Sequence, residues 1–131
     1  MKRTLLLLAA IVSLAFAAMA AKETSAIEFD RTKIDLGQIH ADKGIVTFEY
    51  AFTNEGMKPL VIVSVSNGGC GCTKPSFPKA PIAPGKSGKI TISFNPEGRS
   101  GELNREVTVR TNGKPKTVKL RFSGVVIPAR R

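Results

Sequence analysis

Tryptophan is missing from this chain, tyrosine and histidine occur once each, and there are only two cysteines. Two cysteines separated by one residue cannot supply the bond that staples distant strands in antibody domains. The single histidine, His40, has no orienting group or oxyanion site in its sequence surroundings, so a Cys70/His40 nucleophilic pair is unsupported. Aromatic residues make up 6% of the chain, and most fall on positions that alternate toward a core. Few rings are left to stack on bases, so no nucleic-acid partner is expected. No window has sustained helical periodicity, and no apolar run after residue 20 is long enough to span a membrane. The glycines of residues 67–72 lead into a proline-rich stretch rather than a helix, which argues against a phosphate cradle. Asp35, Asp42, Glu49 and Glu55 are scattered and read as ordinary surface charge.

What is present suits one exported domain. A chain of 131 residues is long enough for one hydrophobic core and short for two. Lys2 and Arg3 precede an apolar run over residues 5–16, and Ala18-Met19-Ala20 fits the small-x-small rule. Residues 1–20 therefore read as a secretory signal peptide cleaved before Ala21, which leaves no membrane span in the mature chain and a periplasmic or secreted location. Losing Lys2 and Arg3 and no acid lowers the net charge from +10 to +8. The mature protein is expected to remain basic, a surface that either keeps a β-protein soluble and unpaired or attracts anionic lipid headgroups or cell-surface polysaccharide, nucleic acid being disfavoured by the scarcity of exposed rings.

Residues 21–25 are expected to be a loose leader, residues 26–127 the folded domain and residues 128–131 a frayed tail. Residues 26–29 and 33–36 predict a pair of short edge strands or one broken strand. In residues 45–53, Val46, Phe48, Tyr50 and Phe52 alternate with polar positions, the pattern of a half-buried strand. Residues 60–66 are almost continuously apolar and predict a strand buried on most of both faces. Residues 67–87 carry so many Gly and Pro residues that a long ordered loop is expected. Further strands follow at residues 89–94, 103–111 and 117–126, the last two joined through Asn112-Gly113, the strongest hairpin signal in the chain. About seven strands and no helix predict an all-β, immunoglobulin-like antiparallel β-sandwich.

The stretch that stands apart chemically is Asn67-Gly68-Gly69-Cys70-Gly71-Cys72-Thr73. In an extended chain Cys70 and Cys72 point to the same side, but two extended residues span roughly 6.6 to 7 Å. A disulfide prefers a Cα separation of about 5.5 to 6 Å, so a bridge requires the chain to bend at Gly71 and is expected to be strained and comparatively oxidising. Three roles stay open. The thiols can be an oxidised or inert pair that shapes the loop, as an oxidising compartment favours. They can bind a soft metal, Cu(I) or Zn(II), with His40 as a third ligand if residues 45–53 and 60–66 form a hairpin. They can also exchange with other thiols, although no helix N-terminus is present to lower a thiol pKa.

Around Cys70-Gly71-Cys72-Thr73 the chain resembles an uncharacterised bacterial family, domain of unknown function 1573, whose members are typically exported. The resemblance takes in the Ile34-Asp35-Leu36-Gly37 element, Asn54-Glu55-Gly56 before Pro59-Leu60, Pro84-Gly85, Arg99 with Gly101, and Asn112-Gly113, over residues 29–124. Gly69 and Phe77 stand where such sequences often carry Ser and Trp. The family resembles the abnormal-spindle and hydin-like branch of immunoglobulin folds. That implies a binding or assembly module and no established activity; an unidentified protein or cell-envelope partner is expected, and no cofactor unless the thiols hold Cu or Zn.

Overall fold

The computed structural model describes residues 24–130. The expected signal peptide and residues 21–23 of the expected leader lie outside them. Among the described residues there are eight strands: β1 (Ile27–Phe29), β2 (Lys33–His40), β3 (Val46–Asn54), β4 (Ile62–Val65), β5 (Thr73–Ser76), β6 (Ser87–Phe94), β7 (Gly101–Thr111) and β8 (Thr117–Ile127), with one short 3-10 turn at Ala41–Lys43. They form two four-stranded sheets, in the orders β1-β3-β6-β5 and β2-β8-β7-β4. The fold is a β-sandwich. Among the described residues no helix is long and apolar enough to cross a membrane.

Alternation builds the core. Tyr50 and Phe52 of β3, Ile90, Ile92 and Phe94 of β6, Val107 and Val109 of β7, and Leu120 and Phe122 of β8 are fully buried between the sheets. The phenyl rings of Phe48 and Phe94 lie 5.0 and 5.9 Å from that of Phe122, in tilted arrangements that join one sheet to the other. Tyr50 sends its hydroxyl across the core to donate to the carbonyl of Arg121. Its neutral form is therefore both hydrogen-bonded and sheltered, and burial pushes the phenol well above its ordinary pKa of 10.0.

Four expectations need correction. Residues 45–53 and 60–66 do not form a hairpin, because β3 and β4 belong to different sheets. The apolar run at residues 60–66 is not buried on both faces. β4 is an edge strand, so Leu60 and Ile62 enter the core while Val63 stays 60% exposed. The long loop contains a strand, β5, which pairs with β6 despite Pro75, and an edge position tolerates a residue that has no N–H to donate. The sandwich is also not wholly antiparallel, since β2 runs parallel to β8 with a shift in register between Asp35 and Gln38. Gly37, with φ of 66°, and the hydrogen bond from its N–H to Asp35 Oδ1 occupy that irregularity.

The leader is ordered at its end. Ser25 is buried, its hydroxyl donates to Asn112 Oδ1, and Thr24 accepts from the Met57 N–H. Two glycines make room for it. A Cβ on Gly56 would overlap the Thr24 carbonyl, and one on Gly113 would overlap Ser25. The Asn112-Gly113 hairpin exists, but as a longer loop closed by Thr111 N–H to Lys116 O, with Gly113 chosen for that close approach.

Asn54 anchors the same end. Its side chain is fully buried, its Oδ1 accepts from Ala26 and Gly56 N–H, and its Nδ2 donates to the carbonyls of Lys58 and Ile82. The Ile82 carbonyl also accepts from the Leu60 N–H, but the Ala26 and Gly56 N–H groups and the Lys58 carbonyl would be left unpaired without Asn54. Asn54→Ala is expected to cost about 3 kcal/mol or more, given ~1–3 kcal/mol for each buried group left unsatisfied. An unfolding free energy from urea titration lowered by less than a third of that cost would refute this role. Tyr50→Phe gives a second expectation. The folded protein keeps a phenol proton that the unfolded chain releases above about pH 10, so stability falls as pH rises past that point. Because Tyr50 is the only tyrosine, ultraviolet titration of the folded protein reports it directly, and the phenylalanine variant should show a shallower alkaline loss of stability.

Candidate functional site: the disulfide end

The two ends of the sandwich divide the motif residues. Asn54, Gly56, Pro84, Gly85, Asn112 and Gly113 gather at one end, where they close turns and tie strands together. Pro84 and Gly85 sit in a turn closed by Lys86 N–H to Ala83 O, with Gly85 at φ of 78° as the second central residue of a type II turn requires, and the Gly85 N–H donates to the Asn54 carbonyl. Asn112 accepts the Val61 N–H on its Oδ1 and donates through Nδ2 to Pro59 O. These residues are structural. Cys70, Gly71, Cys72, Thr73, Arg99 and Gly101 gather at the other end.

There the chain must pass from β4, at the edge of one sheet, to β5, at the edge of the other. It does so through two consecutive turns, closed by Cys70 N–H to Asn67 O and by Thr73 N–H to Cys70 O. Gly68 and Gly69 are both left-handed, with φ of 67° and 80°, the pattern of a type I′ turn. A Cβ on Gly68 would also meet the Glu106 carbonyl at 2.5 Å. The second turn bends the chain at Gly71 and brings the Cα atoms of Cys70 and Cys72 to 5.2 Å, shorter than an extended pair allows, and the sulfurs are joined in a disulfide.

A second turn docks on the first. Asn95 N–H donates to Cys72 O at 2.8 Å, Asn95 Oδ1 accepts the Glu97 N–H, and Arg99 N–H closes the turn on Pro96 O. Arg99 then reaches back, and its Nη2 donates to Cys70 Sγ at 3.0 Å. The Cys72 N–H points at the same sulfur from 3.2 Å. Cys70 is 8% exposed, whereas Cys72 is half-buried and lines a groove of about 130 Å³ with Ile45, Gly71, Lys74, Ser93 and Asn95. Thr73, buried and in register with Phe94, places its hydroxyl 3.7 Å from Cys72 Sγ.

His40 does not join this cluster. It ends β2, at the opposite edge of its sheet from β4, the strand that leads into the cysteines. The hairpin that would have brought it close does not form. Among the described residues no three His, Cys, Asp or Glu side chains gather as a metal site, and the two sulfurs are bonded to one another. Gly101, at φ of 86°, opens β7 just beyond Arg99.

Residues 27–126 match the family model described as "Protein of unknown function (DUF1573)". The chain belongs to that family. No curated protein sequence matches it. Among solved structures, a protein of unknown function from Porphyromonas gingivalis W83 is similar with a TM-score of 0.68 at 21% identity, over 80% of this chain and 48% of that one. The secreted serine protease VesC from Vibrio cholerae matches with a TM-score of 0.57 at 18% identity, over 81% of this chain and 24% of the protease. The YadV chaperone matches with a TM-score of 0.52 at 14% identity, over 79% of this chain and 52% of the chaperone. The chain thus spans about half or less of each of these proteins, and at such identities the likeness is one of fold.

The role of Arg99 was not legible in the residues around it. Twenty-nine positions separate it from Cys70, and only the docking of one turn on another joins them. Gly71 has no positive φ and open space where a Cβ would stand, unlike Gly68. Gly71→Ala should therefore keep the disulfide and the stability of the parent, while Gly68→Ala should lower stability by about 1 kcal/mol or more through backbone strain and the Glu106 contact. Thermal melts with a free-thiol count by intact mass would check both, and a Gly71→Ala protein that emerged reduced would contradict the reading.

Proposed function

We propose that this chain is an exported binding module rather than an enzyme, and that it engages a protein or cell-envelope component at the disulfide end of the sandwich. The observation that carries the reading is Ile45. It is 64% exposed at the rim of the groove that also holds Cys72, across from the disulfide and Asn95 of the docked 95–99 turn. A large apolar side chain fixed in water is a natural contact for a partner, and its burial would contribute about 1.5–3 kcal/mol. Lys74 on the same groove adds positive charge, which suits a partner surface that is apolar with acidic neighbours. The fold likeness to a chaperone and to part of a secreted protease is in keeping with such a module. Export rests on the signal-peptide pattern of residues 1–20 and agrees with an oxidised cysteine pair.

Ile45→Glu tests the proposal. The substitution lies at the surface, so the melting temperature should stay within a degree or two. Capture of envelope proteins by immobilised protein should fall about tenfold or more relative to the parent, as expected when a central apolar contact is replaced by a charge. Equal capture by the folded variant and the parent would remove Ile45 as the contact.

A further inference from the structure

We infer that the Cys70–Cys72 disulfide is an exchangeable bond with a built-in polarity: an incoming thiolate attacks Cys72, and Cys70 is the leaving sulfur. This deepens the binding reading by giving the groove a covalent ligand class, cysteine thiols, but it rests on the disulfide and Arg99 and not on Ile45. Two observations converge. The sulfurs differ in access, since Cys72 lines the open groove and Cys70 is nearly covered. They also differ in what faces them. The Arg99 guanidinium and the Cys72 N–H both aim at Cys70 Sγ, at 3.0 and 3.2 Å.

That arrangement is poorly matched to a neutral disulfide and well matched to a thiolate. A divalent sulfur is a weak acceptor, whereas a thiolate receives charge-assisted hydrogen bonds of roughly twice the strength of neutral ones. Among the described residues Arg99 has no carboxylate partner, so its charge is available to the sulfur. Donors that gain strength only as the S–S bond breaks lower the barrier to breaking it. The positive neighbour supplies what a helix N-terminus supplies in other reactive cysteine sites.

The step balances without any further reagent. The thiolate of the incoming cysteine forms a bond to Cys72 Sγ as the Cys70–Cys72 bond breaks, and the electron pair of that bond leaves on Cys70 Sγ as a thiolate facing Arg99. The product is a mixed disulfide on Cys72. From there Cys70 can attack Cys72 Sγ, expel the incoming thiolate and restore the ring. Alternatively, a second thiol can attack the incoming sulfur, which leaves both Cys70 and Cys72 reduced and the two external sulfurs joined in a disulfide. Lys74 beside the groove favours the approach of an anionic thiolate.

The test uses the oxidised full-length protein with two probes, reduced glutathione and a short peptide carrying cysteine next to leucine. Products are quenched with a fast alkylating agent and mapped by tandem mass spectrometry. The probe should appear on Cys72 and the alkyl label on Cys70. Arg99→Gln should slow ring opening roughly three- to tenfold, because the leaving Cys70 thiolate loses its charge-assisted donor. Arg99→Lys should recover part of the loss, and the alkylation pH profile of Cys70 in the reduced protein should move upward in Arg99→Gln. If Arg99→Gln does not fold, mapping in the parent and the rate of Arg99→Lys carry the test. A probe found on Cys70, or opening of folded Arg99→Gln at the parental rate, overturns the inference. Faster reaction of the peptide than of glutathione, lost in Ile45→Glu, would identify a protein thiol as the source. Equal rates would identify small thiols and leave the polarity of the bond standing.

Discussion

Two sheets can share one core only if the chain crosses between them, and the crossing from β4 to β5 is where both cysteines lie. Both strands are edges, so the crossing runs along the open side of the sandwich and cannot be buried beneath another layer. Seven residues, 66–72, must reverse direction and change sheets. Consecutive turns accomplish this, with left-handed glycines in the first and a disulfide across the second. The disulfide-bearing element is thus a consequence of topology, fixed to the framework by Thr73 in register with Phe94 on one side and by Ser66 N–H to Thr108 O on the other.

The opposite end answers the same need with amides. Asn54 and Asn112 pair backbone groups that the sheets leave without ladder partners, and they join Ser25, the start of β4 and the turn after Ala83. Buried backbone groups are costly unless paired, so an asparagine with four partners is worth more there than a larger apolar side chain. That end of the molecule is therefore tied by neutral hydrogen bonds. The other carries a covalent bond and a cation aimed at one of its sulfurs.

That asymmetry separates stability from chemistry. A guanidinium beside a neutral sulfur adds little to a resting fold, and surface ion pairs such as Lys89 with Glu49 add little as well. The same guanidinium becomes substantial once charge develops at Cys70. The disulfide end has what a thiol partner would meet first: an exposed apolar residue, a shallow groove, a basic side chain and the more accessible of two sulfurs.

Much of the framework was legible in the residues. Alternation at Val46, Phe48, Tyr50 and Phe52, and again at Ile90, Ile92 and Phe94, follows from the two-residue period of a strand, and the Asn-x-Gly and Pro-Gly elements are turns for local steric reasons. Residues 60–66 misled because an apolar run does not reveal whether its strand lies inside a sheet or at its edge. β5 was hidden because Pro75 is forbidden only where an N–H is needed on the paired side. By itself, then, the sequence determined strands, turns, the family and the pair of neighbouring thiols, all of which depend on contacts within a few residues. Only the tertiary structure decided that β3 and β4 part into different sheets, that His40 stands away from the cysteines and that Arg99 faces Cys70. Those relations depend on which sheet each strand joins, a choice made by burial of the whole core rather than by any one segment.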